Sequence, residues 1–392
     1  MSPSAPHIIG WSHLPFGKFD DLSLEAMVGR ATTEALQHAG IEASEVDAVF
    51  IGFGGMGFVP ENFISSYPLQ AEPGLRWAPA TRVENACATG TAAIYQGMAA
   101  IESGRARTVL VVGAEKMTGV SGEAVTQALA NASYVPEEAS AGLTFPGIFA
   151  RFAQAYFERY GEHHSATLAR IAAKNHANGA RNPLAHLRRD FGFDFCNTVS
   201  DKNPMVAAPL RKTDCSLVSD GAAALVLRAA DQTGNARQAV RFRATAQVND
   251  YLPMSRRNFL EFEGPRRAWQ QALQRAGATL DDLSLAEVHD CFTIAELLTY
   301  EAMGLAAPGQ GARLLEDGTV MADGRLPINP SGGLKAKGHP IGATGVSMHV
   351  MACMQLTNTA SGIQVPGADL VGVFNMGGSA VVNCVSILEA AR

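Results

Sequence analysis

Two stretches far apart in the chain share one design, and this restricts the fold more than any other feature. The segment from Leu24 to Gly40 carries apolar residues at helical spacing and ends in ALQHAG, and Val46 to Gly52 follows as an apolar run of strand length. ALQRAG at Ala272 to Gly277, followed by DDLSLAEVHD, repeats that order in the second half. A helix closed by glycine and followed by a buried strand is therefore used twice, and two copies of one α/β unit are the simplest reading. At 392 residues the chain exceeds the roughly 250 to 300 at which one core usually stops growing, so two packed halves are expected.

Between the copies, Cys87 to Ser103 reads as a helix with Ile94, Met98 and Ile101 on one face, and Thr108 to Gly113 as a fully buried strand. From Gly119 to Ser200 the pattern changes to helical segments rich in His, Asn, Arg and aromatic residues, which reads as an inserted subdomain. DGAAALVLRAA, from Asp220, returns to a buried strand that completes the first half, and GGSAVVNCVSILEA does the same for the second. The predicted division is 1–118 with 201–236 for the N-terminal half, 119–200 for the insert and 237–392 for the C-terminal half.

Charge and cysteine usage narrow the function. A net charge of -6 without any Lys/Arg run leaves no basic footprint for nucleic acid or an anionic membrane. No apolar run approaches the roughly 18 residues of a membrane span. Cys87, Cys196, Cys215, Cys291, Cys353 and Cys384 are scattered without a CxxC pair, which argues against a zinc site and against a disulfide framework. The N-terminal stretch lacks the pattern of a secretion signal, and Ala390, Ala391 and Arg392 do not form a peroxisomal tripeptide, so a cytoplasmic protein with reduced thiols is expected.

Two glycine-rich segments resemble nucleotide motifs only superficially. GFGGMG, from Gly52 to Gly57, has the dinucleotide spacing, but Phe58, Val59 and Pro60 follow where a helix should open. GGLKAKGHP places His339 where a phosphate loop needs lysine.

Three segments carry residues able to do chemistry. Cys87, in VENACATGTAAIYQGM, stands where a helix begins, and a helix N-terminus favours thiolate and supplies N–H groups to a developing oxyanion. A buried structural cysteine is the alternative, although Gly90 and the small residues Ala86, Ala88 and Thr89 permit a ligand to approach the backbone closely. His339 lies in NPSGGLKAKGHPIGATG, where Pro340 biases it towards an extended conformation and the glycines allow the imidazole to be presented at a cleft. HDCF, from His289 to Phe292, places an imidazole and a thiol on one side of an extended segment. Its alternative reading is a buried Cys291 beside a capping Asp290.

NACATG around Cys87, HDCF, GHPIGATG from Gly338 and NMGG from Asn375 occur in thiolase order, and the chain resembles the thiolase superfamily over essentially its whole length. HDCF makes it similar to the sterol carrier protein type. The resemblance implies a duplicated βαβαβαββ fold in a five-layer α/β/α/β/α arrangement, with the insert as a loop domain that helps bind coenzyme A. It implies Cys87 as nucleophile, His339 as its activating base and an oxyanion donor, His289 as the second donor, and Cys291 as acid/base. The N–H groups of Cys87 and Gly377 are implied as a second oxyanion hole. Asn375 stands where many thiolases carry a second catalytic cysteine, and Cys291 takes over that role in the resembled branch.

Coenzyme A and acetyl-CoA are then substrates, with no resident cofactor or metal, and a homodimer or tetramer is the implied assembly. Two other functions fit parts of the pattern: a decarboxylating ketoacyl synthase, and a partner-dependent subunit or aldolase working with a small OB-fold protein. Phe145, Phe149, Phe152 and Met117 are candidates for shaping the acyl pocket, and Arg and Lys of the insert for holding the phosphates of coenzyme A.

Overall fold

A computed structural model describes residues 6–234 and 236–391. Residues 1–5, at the start of the stretch read for a secretion signal, and Arg392 of the C-terminal tripeptide lie outside the described residues, as does Asn235. In chain order the first half comprises β1 (Pro6–His13), α1 (Leu24–Ala39), β2 (Ala48–Gly52), α2 (Tyr67–Ala71), β3 (Ala80–Val83), α3 (Thr89–Glu102) and β4 (Thr108–Glu115). It continues through α4 (Gly122–Ala130), α5 (Phe145–Tyr160), α6 (His164–Arg181), α7 (Gly192–Asn197), β5 (Met205–Ala207), β6 (Leu210–Arg211) and β7 (Gly221–Ala229). The second half comprises β8 (Val240–Asn249), α8 (Glu263–Ala276), β9 (Leu285–Val288), α9 (Thr293–Met303), α10 (Arg313–Glu316), α11 (Gly333–Lys337), α12 (Ile341–Leu356), β10 (Leu370–Gly377) and β11 (Val382–Ala390).

The helices that carry the sequence echo end alike. Gly40 closes α1 at φ 69° and Gly277 closes α8 at φ 58°, each giving its N–H to the carbonyls at the end of its helix. A side chain in that left-handed conformation is strained, which explains glycine at both caps.

The duplication extends to the sheet. Nine strands align in the order β3-β2-β4-β7-β1-β8-β11-β10-β9. Read from the centre outwards the two sides correspond: β1 and β8, β7 and β11, β4 and β10, β2 and β9. Direction follows the same rule: β2–β4 and β9–β10 are parallel, β1–β7 and β4–β7 are antiparallel like β8–β11 and β10–β11, and β3 adds a further parallel pair to β2. The counterpart of β3 is reduced to one parallel bridge between Ala286 and Ile328. The halves join where His7 and Ile8 pair with Arg241 and Val240.

Helices cover these strands in layers. α1 packs on β1, β4 and β7, and α8 packs on β8 and β11. α3 and α12 lie side by side in the centre, with α12 touching β4 and β7 of one half and β10 and β11 of the other. The result is helix, sheet, helix, sheet, helix. β4 and β10 are buried along their whole lengths, as expected of strands covered on both faces. Glycine brings the central helices together: a Cβ on Gly90 would stand 2.7 Å from the backbone nitrogen of Val346.

Local boundaries differ from those read from the sequence. β2 begins at Ala48, later than Val46, and α3 begins at Thr89, with Cys87 in the turn before it. The stretch from Gly119 to Ser200 forms α4 to α7, as its helical pattern predicts. Among the described residues no helix is long and apolar enough to cross a membrane.

Candidate active site

The layered core decides where the chemistry can gather. Cys87 lies just ahead of α3 and His339 just ahead of α12, so the close packing of these helices brings both residues to one end of the central layer. His289 and Cys291 occupy the loop leaving β9, and Asn375 lies on β10, the parallel neighbour of β9. One potential ligand atom from each of Cys87, His289 and His339 lies within 4.8 Å of the other two. The two imidazole rings meet edge-on with centroids 5.1 Å apart.

Cys87, Cys291 and His339 line one cavity of about 110 Å³. Met117, Val125, Leu129, Phe145, Phe292 and Ile341 supply much of its apolar wall. Of the pocket residues expected from the sequence, Phe145 and Met117 line this cavity, whereas Phe149 stacks on Phe292 at 4.5 Å and Phe152 stacks behind Phe149.

Buried carboxylates hold the loops. Asp290, within HDCF, accepts the N–H groups of Leu334 at 2.6 Å and Lys335 at 3.2 Å. It therefore caps α11, the helix leading into His339, and ties the two histidine segments together. Gly333 is required for this approach, because a Cβ there would stand 2.3 Å from Asp290 Oδ2. Asn175 donates to Asp290 and to Glu296, and Glu296 pairs with Lys174 at 2.7 Å out of contact with water. Burial, followed by the neighbouring Glu296, holds the Asp290 carboxyl above the usual carboxylate range.

Glu115 plays the corresponding part in the first half. Its carboxylate accepts N–H groups from Gly54, Gly55 and Gly342, at 2.8, 3.1 and 3.1 Å. Burial pushes its pKa up to about 7 against these hydrogen bonds. The GFGGMG loop thus spends two of its backbone donors on the protein itself, in keeping with its rejection as a dinucleotide site.

The hydrogen bonds distinguish the two imidazoles. Thr344 Oγ1 gives its proton to the Pro340 carbonyl at 3.0 Å, so at 2.7 Å it accepts from His339 Nδ1–H. That leaves a lone pair on His339 Nε2. At His289 the arrangement is reversed: the Asn375 amide donates to Nδ1 at 2.9 Å, which places the ring proton on Nε2. His289 Nε2 is buried and has no hydrogen-bond partner among the described residues. One ring is arranged to accept a proton and the other to donate a hydrogen bond.

The expectation of a thiolate at Cys87 is corrected by its burial. Desolvation pushes this thiol up to about 12, against a hydrogen bond from the Gly378 backbone, while Glu115 and Glu84 raise it further. Cys291 is likewise held well above the ordinary range, by burial first and then by Cys87 and Asp290. Burial and then Lys337 lower His339 to about 3, and burial lowers His289 well below its usual value. At neutral pH the constellation is therefore two thiols and two neutral imidazoles. Thiolate is generated when an imidazole removes the proton.

All four side chains expected to be catalytic are brought together. The Cys87 sulfur faces backbone hydrogen bonds from Gly378 and from its own residue. Sequence reasoning noted Asn375 only as a missing cysteine, and it did not single out Thr344 or Glu115. The signal available for each was its place inside, or one strand away from, a motif already recognised.

Residues 7–231 match the thiolase N-terminal domain, and residues 246–390 match the thiolase C-terminal domain-like family. The chain belongs to the thiolase family. As a thiolase it is an acyltransferase that works on coenzyme A thioesters. The acetyl-CoA acetyltransferase of Methanothermobacter thermautotrophicus is 38% identical to it over 387 residues, covering 97% of this chain and 98% of the relative. Human sterol carrier protein 2 is 33% identical over 376 residues, covering 90% of this thiolase and 65% of that longer protein. Among solved structures, the Ltp2-ChsH2(DUF35) aldolase superposes with a TM-score of 0.84 at 23% identity, over 100% of this chain and 99% of that one.

Proposed function

We propose that this thiolase cleaves or forms short 3-oxoacyl-CoA thioesters through an acyl group carried on Cys87. The observation that carries the proposal is the pair of histidines in opposite hydrogen-bonding states beside two buried thiols. In cleavage, His339 Nε2 takes the Cys87 proton as the sulfur attacks the 3-keto carbon. The tetrahedral oxyanion is held by the N–H groups of Cys87 and Gly377.

When the carbon–carbon bond breaks, the departing acetyl-CoA enolate is held by His289 Nε2–H and by the proton now on His339 Nε2. Cys291 then protonates its α-carbon. The thiol of coenzyme A finally collects the acyl group from Cys87, and condensation runs the same steps in reverse. Coenzyme A and its thioesters are substrates in this scheme, and no resident cofactor takes part.

The small cavity supports an acetyl or other short acyl group, because pockets for larger ligands usually span about 300–1,000 Å³. The relative named acetyl-CoA acetyltransferase supports the same choice. The division at 119–200 and 237 is retained, with the insert contributing the coenzyme A phosphate contacts. A homodimer or tetramer in a reducing cytoplasm is the proposed state, in keeping with six free cysteines.

The aldolase neighbour gives the partner-dependent reading a structural counterpart, but the complete Cys87, His289, Cys291 and His339 set favours the thiolase reaction. The purified protein should be incubated with acetyl-CoA and a panel of 3-oxoacyl-CoAs, then examined by intact mass and peptide mapping. An adduct on Cys87 that free coenzyme A removes is expected. A folded protein that gains no adduct until a small OB-fold subunit is added would support the partner-dependent reading instead.

A further inference from the structure

We propose that Asn375 sets the tautomer of His289, making it an oxyanion donor and denying the Cys87–His289–His339 cluster to divalent metal ions. The donor role rests on the reaction proposed above. The tautomer and the exclusion of metal rest on hydrogen-bond geometry alone.

The Asn375 amide is held in one orientation. Thr91 Oγ1 donates to its Oδ1 at 2.8 Å, and its Nδ2 donates to the Cys87 carbonyl at 3.0 Å. A carbonyl can only accept, so the atom facing Cys87 is nitrogen. The same Nδ2 lies 2.9 Å from His289 Nδ1 and directs its second proton there. His289 Nδ1 therefore keeps a lone pair, and the ring proton resides on Nε2. All the groups involved are buried, and Gly345 packs so closely that a Cβ there would meet Asn375 Oδ1 at 2.6 Å. Little room remains for the amide to turn over.

A thiol and two imidazoles with ligand atoms within 4.8 Å of one another form an incipient Cys-His₂ set of the kind zinc prefers. His339 satisfies the requirement for such a ligand, since its Nδ1–H is held by Thr344 and its Nε2 lone pair is free. His289 does not. Its Nε2 lone pair would become available only if the proton moved to Nδ1, where it would face the Asn375 NH₂ group donor to donor. One amide thus makes His289 a hydrogen-bond donor to a developing enolate and a poor metal ligand.

Replacing Asn375 with aspartate reverses this logic, because a carboxylate oxygen accepts from Nδ1–H and frees Nε2. Two measurements test the proposal. First, ¹⁵N spectra of the histidine-labelled wild-type protein, with the His289 signal assigned by its loss in His289→Asn, should show Nδ1 unprotonated and Nε2 protonated. A proton on Nδ1 would overturn the proposal, and this readout needs no folded Asn375 variant.

Second, cadmium(II) should be titrated into the wild-type protein, Asn375→Asp and Asn375→Asp/Cys87→Ala, following the ultraviolet thiolate-to-metal band. Binding about 10- to 100-fold tighter in Asn375→Asp, and lost when Cys87 is also removed, is expected. Equally tight binding at Cys87 in the wild-type protein would contradict the proposal. Failure of the wild-type enzyme to become acylated on Cys87 would count against the reaction and leave both results standing.

Discussion

Cys87 and His339 occupy equivalent places in the two halves of the chain, each in the turn just ahead of one of the paired central helices, α3 and α12. The duplicated fold thus brings the proposed nucleophile of one repeat to the proposed base of the other. Glycines at the crossing maintain that proximity: a Cβ on Gly345 would lie 2.2 Å from the backbone nitrogen of Thr91. HDCF in the second half corresponds to the GFGGMG loop leaving β2 in the first, so one βα loop carries the proposed catalytic His289 and Cys291 while its twin is anchored to Glu115.

Loss of the His289 donor should slow turnover. His289→Ala is expected to reduce kcat by about 100-fold or more, the usual cost of removing one preorganised oxyanion donor. Acylation of Cys87 by acetyl-CoA should be affected much less, because no enolate forms in that step. Steady-state kinetics alongside single-turnover acylation separate these effects, and an equal loss in both would remove the distinction between the two oxyanion sites.

The pH dependence of Cys87 alkylation follows from the neutral resting state. With the thiol pushed up to about 12 and His339 lowered to about 3, the thiolate fraction is small at neutral pH and rises with pH towards 12. Iodoacetamide should therefore modify Cys87 with a rate that climbs about tenfold per pH unit between roughly pH 6 and 9. A thiolate–imidazolium pair would instead give a plateau across that range.

Asp290→Ala should destabilise the protein and disturb its chemistry together. The N–H groups of Leu334 and Lys335 and one Asn175 contact lose their acceptor in a buried setting, a loss of about 1–3 kcal/mol. Denaturant unfolding measures the stability change. kcat should fall as well, since Asp290 ties HDCF to the segment carrying His339, and an unchanged kcat would show that the loops are held in register by other contacts.

Much of the framework was legible because it depends on local patterns. The ALQHAG and ALQRAG echo marked two glycine-capped helices, and the alternating strands and helices pointed to layers. Cys87, His289, Cys291 and His339 were found through motif order. The protonation state of Cys87 was not legible: helix position argued for thiolate, whereas the burial that reverses it comes from residues such as Met117, Val125 and Ile341, brought together only by folding. The role of Asn375 was equally hidden, because its partners Thr91, Cys87 and His289 are each far away in sequence.

The division of labour between Cys87 and Cys291 is tested most directly by incubating Cys291→Ala with acetyl-CoA and measuring both the acyl adduct and acetoacetyl-CoA. The account predicts a normal acetyl adduct on Cys87, removable by free coenzyme A, and no detectable condensation product. Acetoacetyl-CoA formed at the wild-type rate, or loss of the adduct from a folded Cys291→Ala protein, would contradict it.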